Sequence, residues 1–379
     1  ISIIMSDQAW ITPDRNQPWN TLQPLPIPEE HYRNVEVFEQ LGEAKASLAR
    51  LHGRSAAIPD QKLLINTISL QEAKASSQIE NIFTTDDELY QAFSQIDLQE
   101  TYGAPIEVLR YREALWKGFH SLEQKAAFDL DYFIQMYREV KEAKDGFRPA
   151  FTRIVIRQGG SGMNAGQVIY TPPRGEGILE EKLSNLLDFM NDDQQYALDP
   201  LLKMAIGHYQ FEAIHPFRDG NGRTGRLFNI HYLTKKGLLD LPILFLSRYI
   251  IDHKDEYYYL LAGVSQRGNW QPWVLYMLKA VQSTANLSYR KIYDILQSME
   301  SILEAVRQQT PIQRPEQMIE MLFTQPYSTV KHFTSQNIYA ENTARSYLNQ
   351  LTELGVLNKR TIQGHHYYLN IDLYNILSE

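Results

Sequence analysis

The segment from 215 to 226 combines the side chains that phosphate chemistry requires. Pro216 interrupts an apolar helical pattern and helical spacing resumes after 226, so we predict a loop that leads into a helix. At a helix N-terminus, unpaired backbone N–H groups point outward beside the positive end of the helix dipole, which favours an anion. The small residues that would let an anion approach closely are Gly220, Asn221 and Gly222.

Charged and titratable side chains of the same segment complete a site for phosphoryl or nucleotidyl transfer. Arg223 and Arg226 are three positions apart, so they share one helix face and can bracket an anion. Asp219 suits a hard cation such as Mg²⁺, which phosphates would also bind. His215 can act as a general base, since its unperturbed pKa lies near neutrality. The alternative, a Gly-rich turn between core helices, leaves these side chains unexplained.

The segment matches all eight fixed positions of the Fic family motif, His-x-Phe-x-(Asp/Glu)-Gly-Asn-Gly-Arg-x-x-Arg, and the chain is identified as a member of that family. The resemblance implies a protein adenylyltransferase, which transfers AMP from ATP to a Tyr, Ser or Thr hydroxyl of a target protein or of itself. It implies that His215 deprotonates the hydroxyl, that Asp219 holds Mg²⁺ on the phosphates, and that Phe217 anchors the loop. The ATP-binding residues that it implies are Gly220, Asn221, Gly222, Arg223, Thr224, Gly225 and Arg226.

Aromatic residues downstream resemble the adenine pocket of Fic proteins. They lie in the stretch 256–260, in which Tyr257 and Tyr258 match best. The alternative is that these rings are core aromatics at helical spacing. Upstream, His208 lies seven residues before His215, and we interpret it as a core histidine rather than a ligand.

Residues 76–81 fit a second Fic signature, Ser/Thr-x-x-x-Glu-Gly/Asn, which marks an inhibitory helix. Ser76 and Glu80 are four positions apart and therefore lie on one helix face. If Glu80 pairs with Arg226, that arginine cannot hold the γ-phosphate of ATP, and the carboxylate also repels the triphosphate. The alternative is that Glu80 is an ordinary surface residue at a helix end.

Other transfer reactions remain open. Some Fic proteins transfer phosphate or another phosphate-linked group, and some with the inhibitory glutamate remove AMP. The phosphate-transferring branch carries a larger residue at the position of Gly222, so the intact glycine favours AMP transfer.

A different class of function, a DNA-binding regulator with a vestigial Fic core, would use residues 311–379. This stretch has five Lys/Arg and six Asp/Glu, whereas a DNA-reading domain normally has a basic surplus. Its presumed recognition helix carries only Arg345. We therefore expect this region to contact protein, in target selection or in a homodimer, and we consider DNA binding unlikely.

The elements that must position these residues are mostly helical. We expect a Fic-type helical bundle with a β-hairpin flap at 154–170, whose Gly-rich tip lies at 158–167. Residues 6–28 are rich in proline and read as an extended arm on the surface. Helical patterns occupy about 28–54, 61–79, 86–98, 104–120, 129–143, 178–190 and 199–213.

The last residues resemble a winged-helix domain, in which short helices precede a two-stranded wing. The predicted helices are 318–323, 328–335 and 341–354, and the predicted strands are 356–362 and 367–369 around a turn at Gly364. Because every residue with a predicted chemical role lies between 76 and 265, we expect this region to contribute little to turnover. The predicted division is an N-terminal arm and inhibitory region (1–100), a catalytic core (101–310) and a winged-helix-like domain (311–379).

Composition limits the other possibilities. Among 379 residues there is no cysteine, which excludes disulfides and cysteine nucleophiles and fits a reducing cytoplasm. The net charge of −8 argues against a surface that binds nucleic acid throughout. No secretory signal or membrane-spanning run is apparent, so we expect a cytoplasmic protein that does not enter the membrane.

Overall fold

The computed structural model describes residues 12–56, 62–94, 103–157, 166–335, 338–362 and 364–379, without the side chains of 62–66. Within these residues the protein is mostly helical, as predicted, with two small antiparallel sheets. The helices are α1 (Val35–Ala56), α2 (Lys62–Ile79), α3 (Asp86–Ser94), α4 (Ala104–Gln124), α5 (Leu130–Lys141), α6 (Ile178–Asn191), α7 (Pro200–Ile214), α8 (Asn221–Lys235), α9 (Leu246–Asp252), α10 (Lys254–Arg267), α11 (Trp270–Gln309), α12 (Pro315–Phe323), α13 (Val330–Thr334), α14 (Glu341–Glu353) and α15 (Ile371–Ser378). The strands are β1 (Ile156–Arg157), β2 (Val168–Tyr170), β3 (Tyr327–Ser328), β4 (Leu357–Ile362) and β5 (His365–Asn370).

Two central helices, α7 and α8, lead into and out of the loop that carries the candidate catalytic residues. Nearly every residue of α7 is buried, which agrees with a sequence that is apolar around the whole helix. This helix packs against α6, α8 and α11, and α8 packs in turn against α4 and α5. At the end of α7, His215 takes the left-handed conformation (φ 51°) immediately before Pro216. Two buried helices therefore fix both ends of the loop.

The longest helix within the described ranges, α11, has 40 residues and contacts elements from both the N-terminal and the C-terminal parts of the chain. At 1.5 Å per residue it is about 60 Å long. It packs against α1, α7, α9 and α10, and also against α12 and α15. We did not predict this helix, although several of its buried residues follow helical spacing. These are Val274, Leu278, Val281 and Ala285.

The C-terminal region contains the predicted helices and the predicted wing. Strands β4 and β5 form an antiparallel hairpin, with Gly364 in the left-handed conformation between them. The third strand, β3, pairs with β5 on its other side. The helix predicted at 328–335 is shorter, Val330–Thr334, because the residues before it pair in the sheet. A last helix that we did not predict, α15, packs on α11 and on α2.

The N-terminal arm lies against the short hairpin of β1 and β2. The Trp19 ring meets the Tyr170 ring edge-on, with 5.7 Å between centroids. The backbone N–H of Trp19 donates to Thr171 O at 3.1 Å. β1 and β2 pair antiparallel where the flap is predicted. Most of the predicted Gly-rich tip, 158–165, lies outside the described residues.

One helix begins later than the sequence pattern indicates. The first predicted helix starts at Pro28, whereas α1 starts at Val35 after a 3₁₀ turn at Glu29–His31. The Asn34 side chain accepts from the Val37 N–H at 3.0 Å, which is N-cap geometry and explains the start. Across the described ranges, no helix is both long and apolar enough to cross a membrane.

Candidate active site

A cavity of about 1280 Å³ opens beside the loop at 215–220. Its walls come from the end of α2, the first turn of α8, the length of α10 and both strands of the hairpin. Of the predicted site residues, those that line it are Glu80, His215, Asp219, Gly220, Asn221, Gly222, Arg226, Tyr257 and Tyr258. Residues that are far apart in sequence therefore share one cavity.

His215 is held with one ring nitrogen free for chemistry. Its Nδ1 lies 3.4 Å from Glu212 O, which can only accept, so this contact requires the proton on Nδ1 and leaves Nε2 as an acceptor. Arg148 fixes the loop, because its Nε donates to His215 O at 2.8 Å. Burial lowers the pKa of His215 to about 4, so the imidazole is neutral at physiological pH. A neutral imidazole with an open Nε2 can accept a proton from a hydroxyl.

The turn into α8 is braced by a single amide. Asn221 Oδ1 accepts from the Phe217 N–H at 2.8 Å, and Asn221 Nδ2 donates to Phe217 O at 2.9 Å. The Phe217 ring stacks on Tyr137, with 4.2 Å between centroids and 6° between planes. Gly220 has φ 72°, a conformation that favours glycine. The side chains of Asn221 and Phe217 therefore shape the loop, while the backbone N–H groups of α8 remain for an anion.

The carboxylate of Glu80 occupies the N-terminus of α8. Glu80 Oε1 accepts from the Arg223 N–H at 3.0 Å and from Arg226 Nη2 at 3.1 Å. A Cβ built on Gly222 would lie only 2.6 Å from that same oxygen. The glycine therefore permits the approach of an anionic group, and an internal carboxylate makes this approach in the structure.

Arg226 is buried, and residues of α2 accept hydrogen bonds from its guanidinium. Its Nε donates to Ser76 Oγ at 2.8 Å, and its Nη2 donates to Ser76 O at 2.9 Å. Burial by itself would lower the pKa of Arg226, but Glu80, Tyr111, Tyr257 and Glu212 together outweigh it and raise the pKa above its usual value. Ser76 and Glu80, predicted to share one helix face, thus meet the same guanidinium.

Asp219 is the candidate metal ligand at the mouth of the cavity. Its Oδ1 accepts from the Gly220 N–H at 2.7 Å, and its Oδ2 lies 2.7 Å from Lys141 Nζ. Partial burial favours a higher pKa for Asp219, but Lys141 and the Gly220 N–H together lower it below the usual value. The carboxylate is therefore ionised and 64% exposed, as a hard cation requires.

Three predicted ATP-binding residues lie outside the cavity wall. The Arg223 side chain turns toward α4, where Nη1 donates to Glu107 Oε2 at 3.0 Å. Thr224 is fully buried on α8. A Cβ on Gly225 would lie 2.7 Å from Glu212 Oε1 and 3.0 Å from the Phe211 ring, so this glycine permits the close packing of α8 on α7. Arg223 Nε also lies 3.3 Å from Glu80 Oε2, so both the backbone and the side chain of Arg223 face the anion position. The nucleotide roles of Thr224 and Gly225 stay predictions from the sequence.

The two tyrosines of α10 differ in their exposure. Tyr257 is buried, and its hydroxyl pairs with His208 Nε2 at 2.8 Å, which agrees with the interpretation of His208 as a core histidine. Tyr258 is 46% exposed and presents its ring to the cavity wall. Tyr258 is therefore the better candidate for contact with a base, and Tyr257 supports it with an edge-on ring contact at 5.2 Å.

Sequence reasoning missed several cavity residues. Glu212 lies in the wall, its Oε1 is buried without a hydrogen-bond partner, and burial raises the pKa of its carboxyl to about 7. Its place three residues before His215 was a usable signal, because that spacing puts both at the same end of α7. Arg15, from the N-terminal arm, also lines the cavity and donates to Gln266 Oε1 at 3.2 Å. No local pattern at Arg15 predicts this.

The donor set fits Mg²⁺ bound together with a nucleotide. Within the ranges that the structure describes, no group of three or more His, Asp or Glu side chains could hold a metal by itself. Mg²⁺ commonly takes one or two protein carboxylates and completes its shell with phosphates and water. The single ionised carboxylate of Asp219 beside an anion site meets that requirement.

Comparison with known proteins assigns the family. Residues 127–233 match the Fic/DOC family, residues 38–120 match the Fic/DOC family N-terminal region, and residues 298–373 match the C-terminal domain of SoFic-like protein adenylyltransferases. Together these matches span more than half of the chain. The protein belongs to the Fic/DOC family.

Curated relatives resemble only part of the chain. Protein adenylyltransferase fic-1 of Caenorhabditis briggsae is 36% identical over 110 residues, which cover 29% of this chain and 20% of the relative. Protein adenylyltransferase Fic of Drosophila willistoni is 26% identical over 214 residues, covering 56% and 39%. The chain thus spans well under half the length of these relatives.

Solved structures support the fold. A Fic family protein from Desulfovibrio desulfuricans G20 superposes with a TM-score of 0.53 at 19% identity, covering 93% of this chain and 98% of that one. Fic-1 of C. elegans superposes with a TM-score of 0.50 at 19% identity, covering 69% and 74%. The fold is shared across nearly the whole chain.

Proposed function

We propose that this protein transfers AMP from ATP to a hydroxyl group of a protein and that Glu80 inhibits the transfer. The observation that carries the proposal is the position of the Glu80 carboxylate, which accepts from the α8 N-terminus and from Arg226 at 3.0 and 3.1 Å. A site that holds one anion in this way suits the phosphates of a nucleotide.

His215 supplies the base. The target hydroxyl donates its proton to His215 Nε2 as its oxygen attacks the α-phosphorus of ATP. A bond forms between that oxygen and the α-phosphorus, the bond from the α-phosphorus to the bridging oxygen breaks, and pyrophosphate leaves. The N–H groups at the start of α8 stabilise the negative charge on the α-phosphate oxygens. Tyr258 borders the side of the cavity that we assign to the adenine.

Asp219 would hold Mg²⁺, which neutralises phosphate charge when it is bound. In the structure, Lys141 Nζ lies 2.7 Å from Asp219 Oδ2 and forms an ion pair with this carboxylate. Mg²⁺ would compete with Lys141 for this carboxylate, and a displaced Lys141 ammonium group is free to contact a phosphate.

Inhibition follows from competition for Arg226. While Glu80 accepts from Arg226 and from the Arg223 N–H, a triphosphate can neither use that guanidinium nor approach the carboxylate without repulsion. ATP that binds elsewhere in the cavity has its α-phosphate misplaced for in-line attack, which is costly even over about 1 Å.

The acceptor is proposed as a Tyr, Ser or Thr of a target protein, with self-modification as a further route. The β1–β2 hairpin borders the cavity, so a target backbone can pair with a hairpin strand beside His215. A homodimer and a cytoplasmic location remain predictions from the sequence.

DNA binding is the less favoured function for the C-terminal region. Arg345 on α14 pairs with Glu341 at 2.6 Å, and Arg360 on β4 pairs with Asp87 at 3.4 Å. Two of the few cations available for phosphate contacts are thus already paired within the protein. This supports a protein-contact role for residues 311–379.

The test is transfer of label from ATP to protein in a cell lysate and to the protein itself. We expect label from the α-phosphate on protein, strongly increased in Glu80→Gly and lost in His215→Ala, with no label from the γ-phosphate. Transfer of γ-label would instead identify a phosphate-transferring enzyme. Release of AMP from modified protein, without α-label transfer in any variant, would identify AMP removal as the activity.

A further inference from the structure

The inhibitory segment, residues 76–81, is supported from the outside by α3. Lys74 Nζ lies 2.7 Å from Asp86 Oδ1, and both side chains are largely buried. One turn earlier on α2, the Gln71 side-chain amide donates to the Tyr90 hydroxyl. The first turns of α3 are therefore fixed to the face of α2 that points away from the active site.

The connection from Glu80 to α3 is short and closed by its own hydrogen bonds. Residues 81–85 alone separate Glu80 from the start of α3. The Thr85 N–H donates to Glu88 Oε2 at 2.9 Å, and the Glu88 N–H donates to Thr85 Oγ1 at 3.2 Å, which forms a capping box. A displacement of α3 must therefore reach Glu80 through one short connection.

The C-terminal region holds α3 from the other side. The Tyr327 hydroxyl on β3 donates to Asp87 Oδ1 at 2.7 Å, and Arg360 Nη1 on β4 donates to the Tyr327 hydroxyl at 2.6 Å. One turn along α3, Tyr90 meets Tyr374 of α15 edge-on, with 5.8 Å between ring centroids. Elements from β3 to α15 thus contact a single face of α3.

Side chains fill the space behind α2 only in part. A cavity of about 220 Å³ separates its outer face from α9 and from the end of α15. Atoms that line a void have no contacts on that side, so they contribute less to holding the helix in place. The helix packs mainly against α4 and α9 and less against α15, and the cavity interrupts part of this packing. On the cavity side, the Lys74 and Gln71 side chains reach Asp86 and Tyr90 of α3. The cavity is lined by Gln71, Lys74, Ala75, Gln78, Arg248 and Ser378, among others.

We propose that residues 311–379 clamp α3 and thereby keep Glu80 on Arg226, with Asp87 as the positioning residue. This inference rests on the proposed inhibitory function of Glu80. When the clamp opens, α3 and the end of α2 move together, and the Glu80 carboxylate leaves the α8 N-terminus. A binding event that displaces β3 or β4 then raises AMP transfer. The C-terminal region would then influence the rate of AMP transfer, although it lies far from the catalytic motif in the sequence.

The test compares variants of the full chain by transfer of label from the α-phosphate of ATP. We expect Asp87→Ala and Tyr327→Phe to raise transfer by about fivefold or more, the lower end of the usual range for coupled sites. Asp87→Asn keeps an acceptor for the Tyr327 hydroxyl, so its gain should be smaller. The control is Arg345→Ala, which breaks an exposed ion pair of the same region away from α3 and should change nothing.

Two further measurements separate positioning from general destabilisation. In a Glu80→Gly background, Asp87→Ala should give no additional gain, because the residue that it positions is absent. Hydrogen exchange of the backbone amides at 76–85 should be faster in Asp87→Ala, with a melting temperature close to that of Arg345→Ala.

The outcomes are distinct. If Glu80→Gly raises transfer but Asp87→Ala and Tyr327→Phe stay at the parent level, the clamp is overturned and the inhibitory function of Glu80 stands. An equal gain from Asp87→Ala with and without Glu80 would overturn it too. A Glu80→Gly protein no more active than the parent would overturn the inhibitory function on which the clamp depends. Tyr327→Phe conserves volume, so it decides the matter if Asp87→Ala fails to fold.

Discussion

The ammonium group of Lys141 lies 2.7 Å from the carboxylate of Asp219, so a protein cation occupies the position proposed for a metal ion. The pair joins the last residue of α5 to the catalytic loop. A divalent ion that binds Asp219 therefore competes with this ammonium group for one carboxylate.

Replacing Lys141 should therefore make Mg²⁺ easier to bind. We expect Lys141→Met to lower the Mg²⁺ concentration for half-maximal AMP transfer about two- to fivefold, since a partly exposed ion pair contributes up to about 1 kcal/mol. The measurement is a Mg²⁺ titration at saturating ATP, together with Mn²⁺ binding by calorimetry. Lys144→Met, which removes an exposed neighbouring lysine, is the control. An unchanged Mg²⁺ requirement would show that the ion pair does not compete with the metal.

Asp219→Ala should abolish the Mg²⁺ dependence and leave very low activity, because the phosphates lose the carboxylate that would anchor their counterion. The measurement is the same Mg²⁺ titration. A variant that keeps the parent's dependence on Mg²⁺ would remove Asp219 from the metal site.

His215 should act as a base well below neutral pH. Burial lowers its pKa to about 4, so the neutral form is present above that pH and is lost as the pH falls through it. We expect the rate of the Glu80→Gly, Glu212→Gln double variant to stay level through the neutral range and to fall only as the pH approaches the pKa of His215. The Glu212→Gln substitution removes a carboxyl with a pKa of about 7, whose titration would otherwise add a step near neutrality to the pH profile.

His215→Ala should lose about 10²- to 10⁴-fold in rate. A folded His215→Ala protein that still transfers AMP at the parent rate would exclude His215 as the base.

Activation by Glu80→Gly should require Arg226. A hydrogen bond to a charged group contributes about 1.5–3 kcal/mol, so freeing this guanidinium for the γ-phosphate corresponds to about 10- to 150-fold in rate. Adding Arg226→Ala should cancel the gain, whereas Arg33→Ala, at an exposed ion pair, should leave it intact. The measurement is label transfer from ATP in the single and double variants. Full activation without Arg226 would mean that Glu80 inhibits by another route.

Two glycines on helices should respond oppositely to alanine. A Cβ on Gly118 of α4 would lie 2.3 Å from His231 Cε1 and 2.6 Å from Met136 Sδ, so Gly118→Ala should destabilise by about 1–3 kcal/mol through overpacking. A Cβ on Gly42 of α1 meets nothing within 4 Å, so Gly42→Ala should stabilise by about 0.5–1 kcal/mol. Denaturant unfolding of both variants checks the two signs. A destabilised Gly42→Ala protein would contradict the open environment at that site.

The chemistry of the candidate site could be predicted from the sequence because its main residues are adjacent. His215, Asp219 and Gly220 lie in one short loop, so a local pattern fixes their order and approximate geometry. The helix carrying Ser76 and Glu80 is equally local, since a spacing of four residues places both on one face. The mostly helical fold followed from apolar periodicity in the same way.

Long-range contacts decided the rest. The sequence shows two equivalent arginines, but packing places the Arg223 side chain between Glu80 and Glu107 and directs Arg226 to Ser76 and Glu80. The direction of a side chain depends on which helix lies beside it, and no local pattern contains that information.

The pairing of Lys141 with Asp219 and the contact of Tyr327 with Asp87 join residues that are 78 and 240 positions apart in the chain. The sequence by itself determined which groups can do chemistry and on which local elements they lie. Only the tertiary structure decided which of those groups meet, because burial and packing between distant helices set the direction of each side chain.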